Sequence, residues 1–187
     1  MRPCIEKLSV LPTLIASLGV ILAGPVTAQT FTTLRNLDES DGVFPYAGLI
    51  LSGNTLYGTT YNGGGVIYGV GTVFAVNTNG AGFTNLYNFT GGSDGCEPRA
   101  GVILSGNTLY GTTCGPYSGA RFGTVFAVKT DGTGFKIMHS FSGGKDGASP
   151  QGALILSGNT LFGTATEGGS SGKGTVFSLS LGQLNPP

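Results

Sequence analysis

The chain has 187 residues, a formal net charge of zero and only 10% charged side chains. Charge that sparse, against roughly 25% in an average soluble protein, excludes a nucleic-acid binder working through a basic patch. The 35 glycines have no three-residue period, which excludes collagen, and 40% hydrophobic residues can build the core that a disordered chain lacks.

The first 28 residues read as an export segment. Arg2 and Lys7 make a basic start, Leu8 to Gly24 is an apolar run, and Val26-Thr27-Ala28 places small residues where a signal peptidase reads. A membrane anchor is the competing reading, because the run approaches the minimum length for a bilayer span. The small residues at 26–28 and the polar chain after them favour cleavage after Ala28. The expected product is a nearly neutral repeat domain over 29–187, secreted or at the cell surface, with no later apolar run of membrane length.

After residue 30 the sequence repeats. Phe31, Phe83 and Phe135 open three units 52 residues apart, about 31–82, 83–134 and 135–187. Each has an aromatic-rich segment, an Asp-Gly loop with a proline three residues on, a hairpin of the type LILSGNTLYGTT, a Gly-rich loop, and GTVFAV or GTVFSL. Gly53-Asn54, Gly106-Asn107 and Gly158-Asn159 suit two-residue hairpin turns of type II′. GTVFAV, apolar on both faces, reads as a strand covered on both sides. The expected fold is all-β, with propeller-type repeats of four antiparallel strands.

The recurring pattern Asp-Gly-x-x-Pro, Leu-Tyr-Gly-Thr-Thr and Gly-Thr-Val-Phe resembles the GloVer tandem repeat of secreted bacterial proteins, the choice-of-anchor group. The resemblance runs over residues 31–180. It implies an extracellular or surface repeat protein with a propeller-like fold and no established activity.

In an antiparallel meander alternate connections share a side. The Asp-Gly and Gly-rich loops therefore lie on one face, which holds nearly all the differences between units. Variable loops on a rigid scaffold commonly carry binding residues. The candidates there are Tyr61, Asn62, Tyr68, Tyr117, Arg121, Glu167 and Lys173, for a glycan or a surface protein. Cys96 and Cys114 fall on the same face of one unit and are expected to form a disulfide, with two thiols or a metal pair as alternatives. Asp41, Asp94 and Asp146 recur in every unit; they read as turn caps, or else as weak calcium ligands. His139 aligns with Arg35 and Tyr87, a position that reads as a solvent-facing strand site. No catalytic motif and no cofactor site is visible. A non-enzymatic binding module is the leading expectation. The alternative is a carbohydrate-active hydrolase or lyase using Asp38, Glu39, Glu97 or Glu167 between units.

Three units fall short of the four to eight blades of known propellers, so either a fragment of a longer array or an assembling partial propeller is expected. If the Asp-Gly connection joins successive blades, 49–89 and 102–141 are complete blades. Residues 154–177 then lack a fourth strand, and Phe31–Leu37 is a strand without a blade. A head-to-tail homodimer would satisfy both ends.

Overall fold

The computed structural model describes residues 29–65, 69–115 and 122–182. The leader-like segment and its cleavage site lie outside them, as do Tyr68, Tyr117 and Arg121. The repeat domain begins at Thr33.

The repeat domain is all-β over the described residues, with three successive antiparallel meanders. The first sheet is β1 (Ile50–Ser52), β2 (Thr55–Thr60), β3 (Thr72–Asn77) and β4 (Thr84–Asn88). The second is β5 (Ile103–Ser105), β6 (Thr108–Thr113), β7 (Thr124–Lys129) and β8 (Lys136–Ser140). The third has three strands, β9 (Ile155–Ser157), β10 (Thr160–Ala165) and β11 (Thr175–Ser180). The Asp-Gly connection therefore runs between sheets, as its length suggested.

Register follows from the hairpin turns. Gly53, Gly106 and Gly158 have φ of 57°, 59° and 58°, whereas the following asparagines stay out of the left-handed region, as a type II′ turn requires. The turn fixes Ser52 opposite Thr55 and Ser105 opposite Thr108. From there β2 pairs β3 and β6 pairs β7 without a break.

The sheets pack face to face. Tyr57, Val73, Ala75 and Phe89 of the first bury against Val102, Leu109, Phe126 and Val128 of the second. Val125 and Phe141 of the second bury against Leu154, Leu161 and Ala165 of the third. This explains why GTVFAV carries apolar groups on both faces. In β3 and β7 the first five residues are all buried, but in β11 burial alternates because only one face is covered.

The strand expected over Phe31–Leu37 does not form. Residues 29–38 make no ladder, because the sheet that this segment would close has no other member among the described residues. Its second half nonetheless keeps the side-chain position of a fourth strand. Arg35 lies over the Phe83 ring at 4.8 Å from its centroid, as Tyr87 stacks on Phe135 at 3.6 Å.

Candidate functional site

The recurring threonines and the Asp-Gly loops build one rim of the stack. The last Thr of LYGTT meets the Thr of GTVF, with Thr60 and Thr72 oxygens 2.9 Å apart and Thr113 and Thr124 oxygens also 2.9 Å apart. Thr72, Thr124 and Thr175 each donate to the backbone carbonyl of the unit's aspartate, Asp41, Asp94 or Asp146, at 3.3, 3.3 and 3.0 Å. The loop is thereby tied to its own sheet. Backbone pairs tie it to the Gly-rich connection as well, Val43 with Asn62 and Ala148 with Glu167. Both loop types do share a face, and Asn62 and Glu167 contribute to it through their backbones.

Each aspartate side chain is occupied by donors. Asp41 takes a bidentate pair from Arg35, at 2.9 Å from Nε to one carboxylate oxygen and 2.8 Å from a terminal nitrogen to the other. Asp94 accepts the Tyr87 hydroxyl at 3.1 Å, the Thr90 amide at 2.8 Å and the Thr90 hydroxyl at 2.7 Å. Asp146 accepts His139 at 3.1 Å, the Ser142 amide at 2.9 Å and the Ser142 hydroxyl. Position 35/87/139 is therefore not a free strand site: arginine, tyrosine and histidine share a donor, and that donor meets the unit's aspartate. The spacing of six or seven residues from donor to aspartate was the available signal. Among the described residues no cluster of three or more His, Cys, Asp or Glu is placed to hold a metal.

Charge follows the same bonds. Burial pushes the Tyr87 hydroxyl up to about 12, helped by the charge and hydrogen bond of Asp94. At Asp146 burial raises the carboxyl, yet the Ser142 and His139 hydrogen bonds together outweigh it and hold the group below its ordinary value. A depressed folded pKa gives stability that is present above the unfolded value near 4 and lost as pH falls through the folded one. Asp146→Asn is expected to cost about 1 kcal/mol at pH 7 and to flatten the loss of stability below about pH 4, as urea melts across that range would read.

The predicted disulfide is absent. Cys96 and Cys114 are both buried thiols with no S–S bond between them, although the Cys114 amide donates to the Cys96 carbonyl at 3.1 Å. The Cys114 thiol donates to the Pro150 carbonyl of the next unit at 3.6 Å. Sequence separation does not report that contact. Burial pushes the Cys114 thiol up to about 11, which cuts thiolate at pH 8 about a hundredfold. A brief iodoacetamide pulse should therefore leave Cys114 unlabelled in folded protein and label it in urea, read by mass spectrometry.

One side-chain cluster on this rim is unlike the other two units. Phe44 and Tyr46 stack with ring centroids 6.0 Å apart and planes at 9°. Tyr46 meets Tyr61 at 5.5 Å. The Tyr61 hydroxyl donates to Glu97 at 2.7 Å, accepts from Arg99 at 3.3 Å, and its ring lies 4.9 Å beneath the Arg99 guanidinium. Burial and the Glu97 hydrogen bond raise the Tyr61 pKa, so the phenol stays protonated. Phe44 is 53% exposed and Tyr46 67%. Phe44, Glu97 and Ser149 are repeat equivalents with φ of 59°, 56° and 53°. Non-glycine residues in the left-handed region just before a proline carry strain that the surroundings must hold, and such strain gathers at functional sites.

Of the residues expected on this face, Tyr61 is central to the cluster, and Glu97 joins it across the junction of the first two sheets. Glu167 and Lys173 are exposed in the third unit's loop. Phe44, Tyr46 and Arg99 were missed. They flank the Asp-Gly loop prolines, where the sequence shows only that the residue type varies between units. Of the acids weighed for catalysis, Asp38 caps its own turn, accepting from the Ser40 and Asp41 amides, and Glu39 lends its carbonyl to Gly64.

The comparisons with known proteins bear on the repeat. No curated protein matches. Among solved structures, the crystal structure of a nidogen/laminin complex aligns at a TM-score of 0.49 and 15% identity, over 71% of this chain and 42% of that one. The crystal structure of the tricorn protease aligns at 0.39 and 15%, over 74% of this chain and 13% of that one. The chain thus spans less than half the length of either. A family model described as the Gloeobacter/Verrucomicrobia repeat matches residues 94–185, the stretch that runs from the second Asp-Gly loop through the third sheet. Over those residues the chain is similar to the Gloeobacter/Verrucomicrobia repeat.

Proposed function

We propose that the protein is an exported, non-enzymatic binding module that takes carbohydrate on the long-loop rim, at Phe44, Tyr46, Tyr61, Glu97 and Arg99. The observation that carries this reading is the pair of parallel, solvent-exposed rings beside a hydrogen-bonded acid, phenol and guanidinium. Aromatic faces offer a broad apolar platform whose negative quadrupole meets the polarised C–H groups of a sugar ring. Planar charged groups at its edge suit hydroxyls, as Arg and carboxylate do elsewhere. Exposed apolar patches rimmed by polar residues mark interaction sites. Export is supported by the leader-like residues 1–28, and a surface location by the repeat family's resemblance to secreted proteins.

The test is a glycan array followed by calorimetry on any hit. Tyr46→Ala should weaken binding at least tenfold, because its ring is the exposed centre of the cluster. Its melting temperature should be unchanged, since exposed side chains away from packed features contribute within about 0.5 kcal/mol. Binding to protein ligands alone would remove the carbohydrate reading, and turnover of a bound glycan would remove the non-enzymatic one.

A further inference from the structure

The two ends of the stack leave complementary faces open. At the internal junctions the position occupied by Val73 and Val125 is fully buried, but Val176, its equivalent in the third sheet, is 83% exposed. On the same face Phe162 is 37% exposed where its counterpart Tyr57 is 8%, and Ile155 is 66% exposed where Ile50 and Ile103 pack against the two cores. At the other end, Leu49 is 54% exposed although Val102 and Leu154 at that position are 6% and 2%. Leu51 is also open, at 57%, whereas its counterparts Leu104 and Leu156 pack into the two cores. A groove on this leading face runs between Leu34, Leu37, Leu49, Leu56 and Phe74.

Main-chain groups show the same complement. β11 has β10 on one side and no described strand on the other, while β3 and β7 there pair with β4 and β8. Residues 33–37 hold a fourth strand's side-chain position beside the first sheet but make no ladder. One end is short of a strand and the other has a strand to give.

We infer that a second copy of this chain covers both ends, the trailing face of each third sheet seating the leading face of the partner's first sheet. The occupant is set by continuity with the junctions already present. Each of these joins a trailing face built on Ile-Tyr-Val-Ala positions to a leading face built on Val/Leu-Leu-Phe positions. The open faces are one of each kind. The register also carries over: Val73 pairs Tyr87 and Val125 pairs His139, so Val176 pairs Arg35 of the partner subunit. Two chains joined twice in this way make six sheets around a two-fold axis, within the four to eight of closed propellers, and pair the free edge of β11. The inference does not rest on the carbohydrate reading.

Sedimentation of the purified protein at about 10 µM, a concentration at which stable pairs of this interface class persist, is expected to show a dimer. Val176→Asp and Leu51→Asp place a charge on the trailing and the leading face. Each should shift the protein to monomer with an unchanged circular dichroism spectrum, because both side chains are exposed in the single chain. Mixing the two variants should restore a dimer, since one of its two junctions is then free of either substitution. A wild-type monomer would overturn the inference. So would a ladder of higher oligomers, which would mean that the contact does not close, or a dimer indifferent to both substitutions.

Discussion

Replacing Phe126 by alanine is expected to destabilise the protein by about 3–5 kcal/mol, the usual cost of emptying a large aromatic site. That corresponds to a fall in melting temperature of roughly 10 °C for a domain of this size. Phe126 is fully buried and meets Phe89 of the first sheet edge-on at 5.1 Å and Phe135 at 5.9 Å. Its ring also fills the space over Gly111, where a Cβ would lie 2.6 Å from its tip. No neighbour can collapse into the vacated volume without moving a whole sheet. Phe177, the same position in the third sheet, is only partly buried and meets Phe141 at 5.2 Å. Its replacement should cost roughly half as much. Equal losses at the two positions, measured by thermal denaturation, would show that face-to-face packing between sheets is not what holds Phe126.

The fold was legible because its determinants are local and repeated. Two residues, Gly and Asn, set each hairpin register, and the doubly apolar GTVFAV announced a strand covered on both faces before any neighbour was known. Thr175 to Ser180 shows the limit of that reading. It has nearly the same sequence as β3, but its burial alternates, because coverage belongs to the neighbouring sheet and not to the strand. Phe31–Leu37 failed for the same reason. A strand needs a ladder partner, and that partner is a long-range contact which no local pattern specifies.

The site was less legible. Tyr61 was found because loops that vary between units stand out against a repeat. Phe44 and Tyr46 were not, since their role depends on a left-handed residue before a proline and on a ring contact to a residue fifteen positions away. Arg35, Tyr87 and His139 differ in every property except hydrogen-bond donation, and comparing sizes or charges hid the one feature that matters. The two cysteines were close in space as expected, but the Cys114 thiol bonds the Pro150 carbonyl of the next unit, a long-range contact that spacing does not report.

The Asp-Gly pair itself makes the sharpest stability prediction. Gly95→Ala should cost about 2–5 kcal/mol, combining 1–2 kcal/mol of backbone strain with 1–3 kcal/mol of overpacking. Gly95 has φ of 92°, and a Cβ there would overlap Thr113 Oγ1 and lie 2.9 Å from Thr113 Cβ. That threonine cannot retreat, because its oxygen is held by the Thr124 hydroxyl at 2.9 Å and by the Thr124 amide at 3.1 Å. Gly106→Ala separates the two contributions. Its φ of 59° is also left-handed, but nothing lies within 4 Å of the added carbon, so it should cost only the strain, about 1–2 kcal/mol. Combining Gly95→Ala with Thr113→Ala removes the overlapping oxygen and should recover at least about 1 kcal/mol relative to the sum of the two single changes. Urea melts of the four variants decide it. Strict additivity would mean that the loop's close approach to Thr113 is not why glycine follows aspartate there.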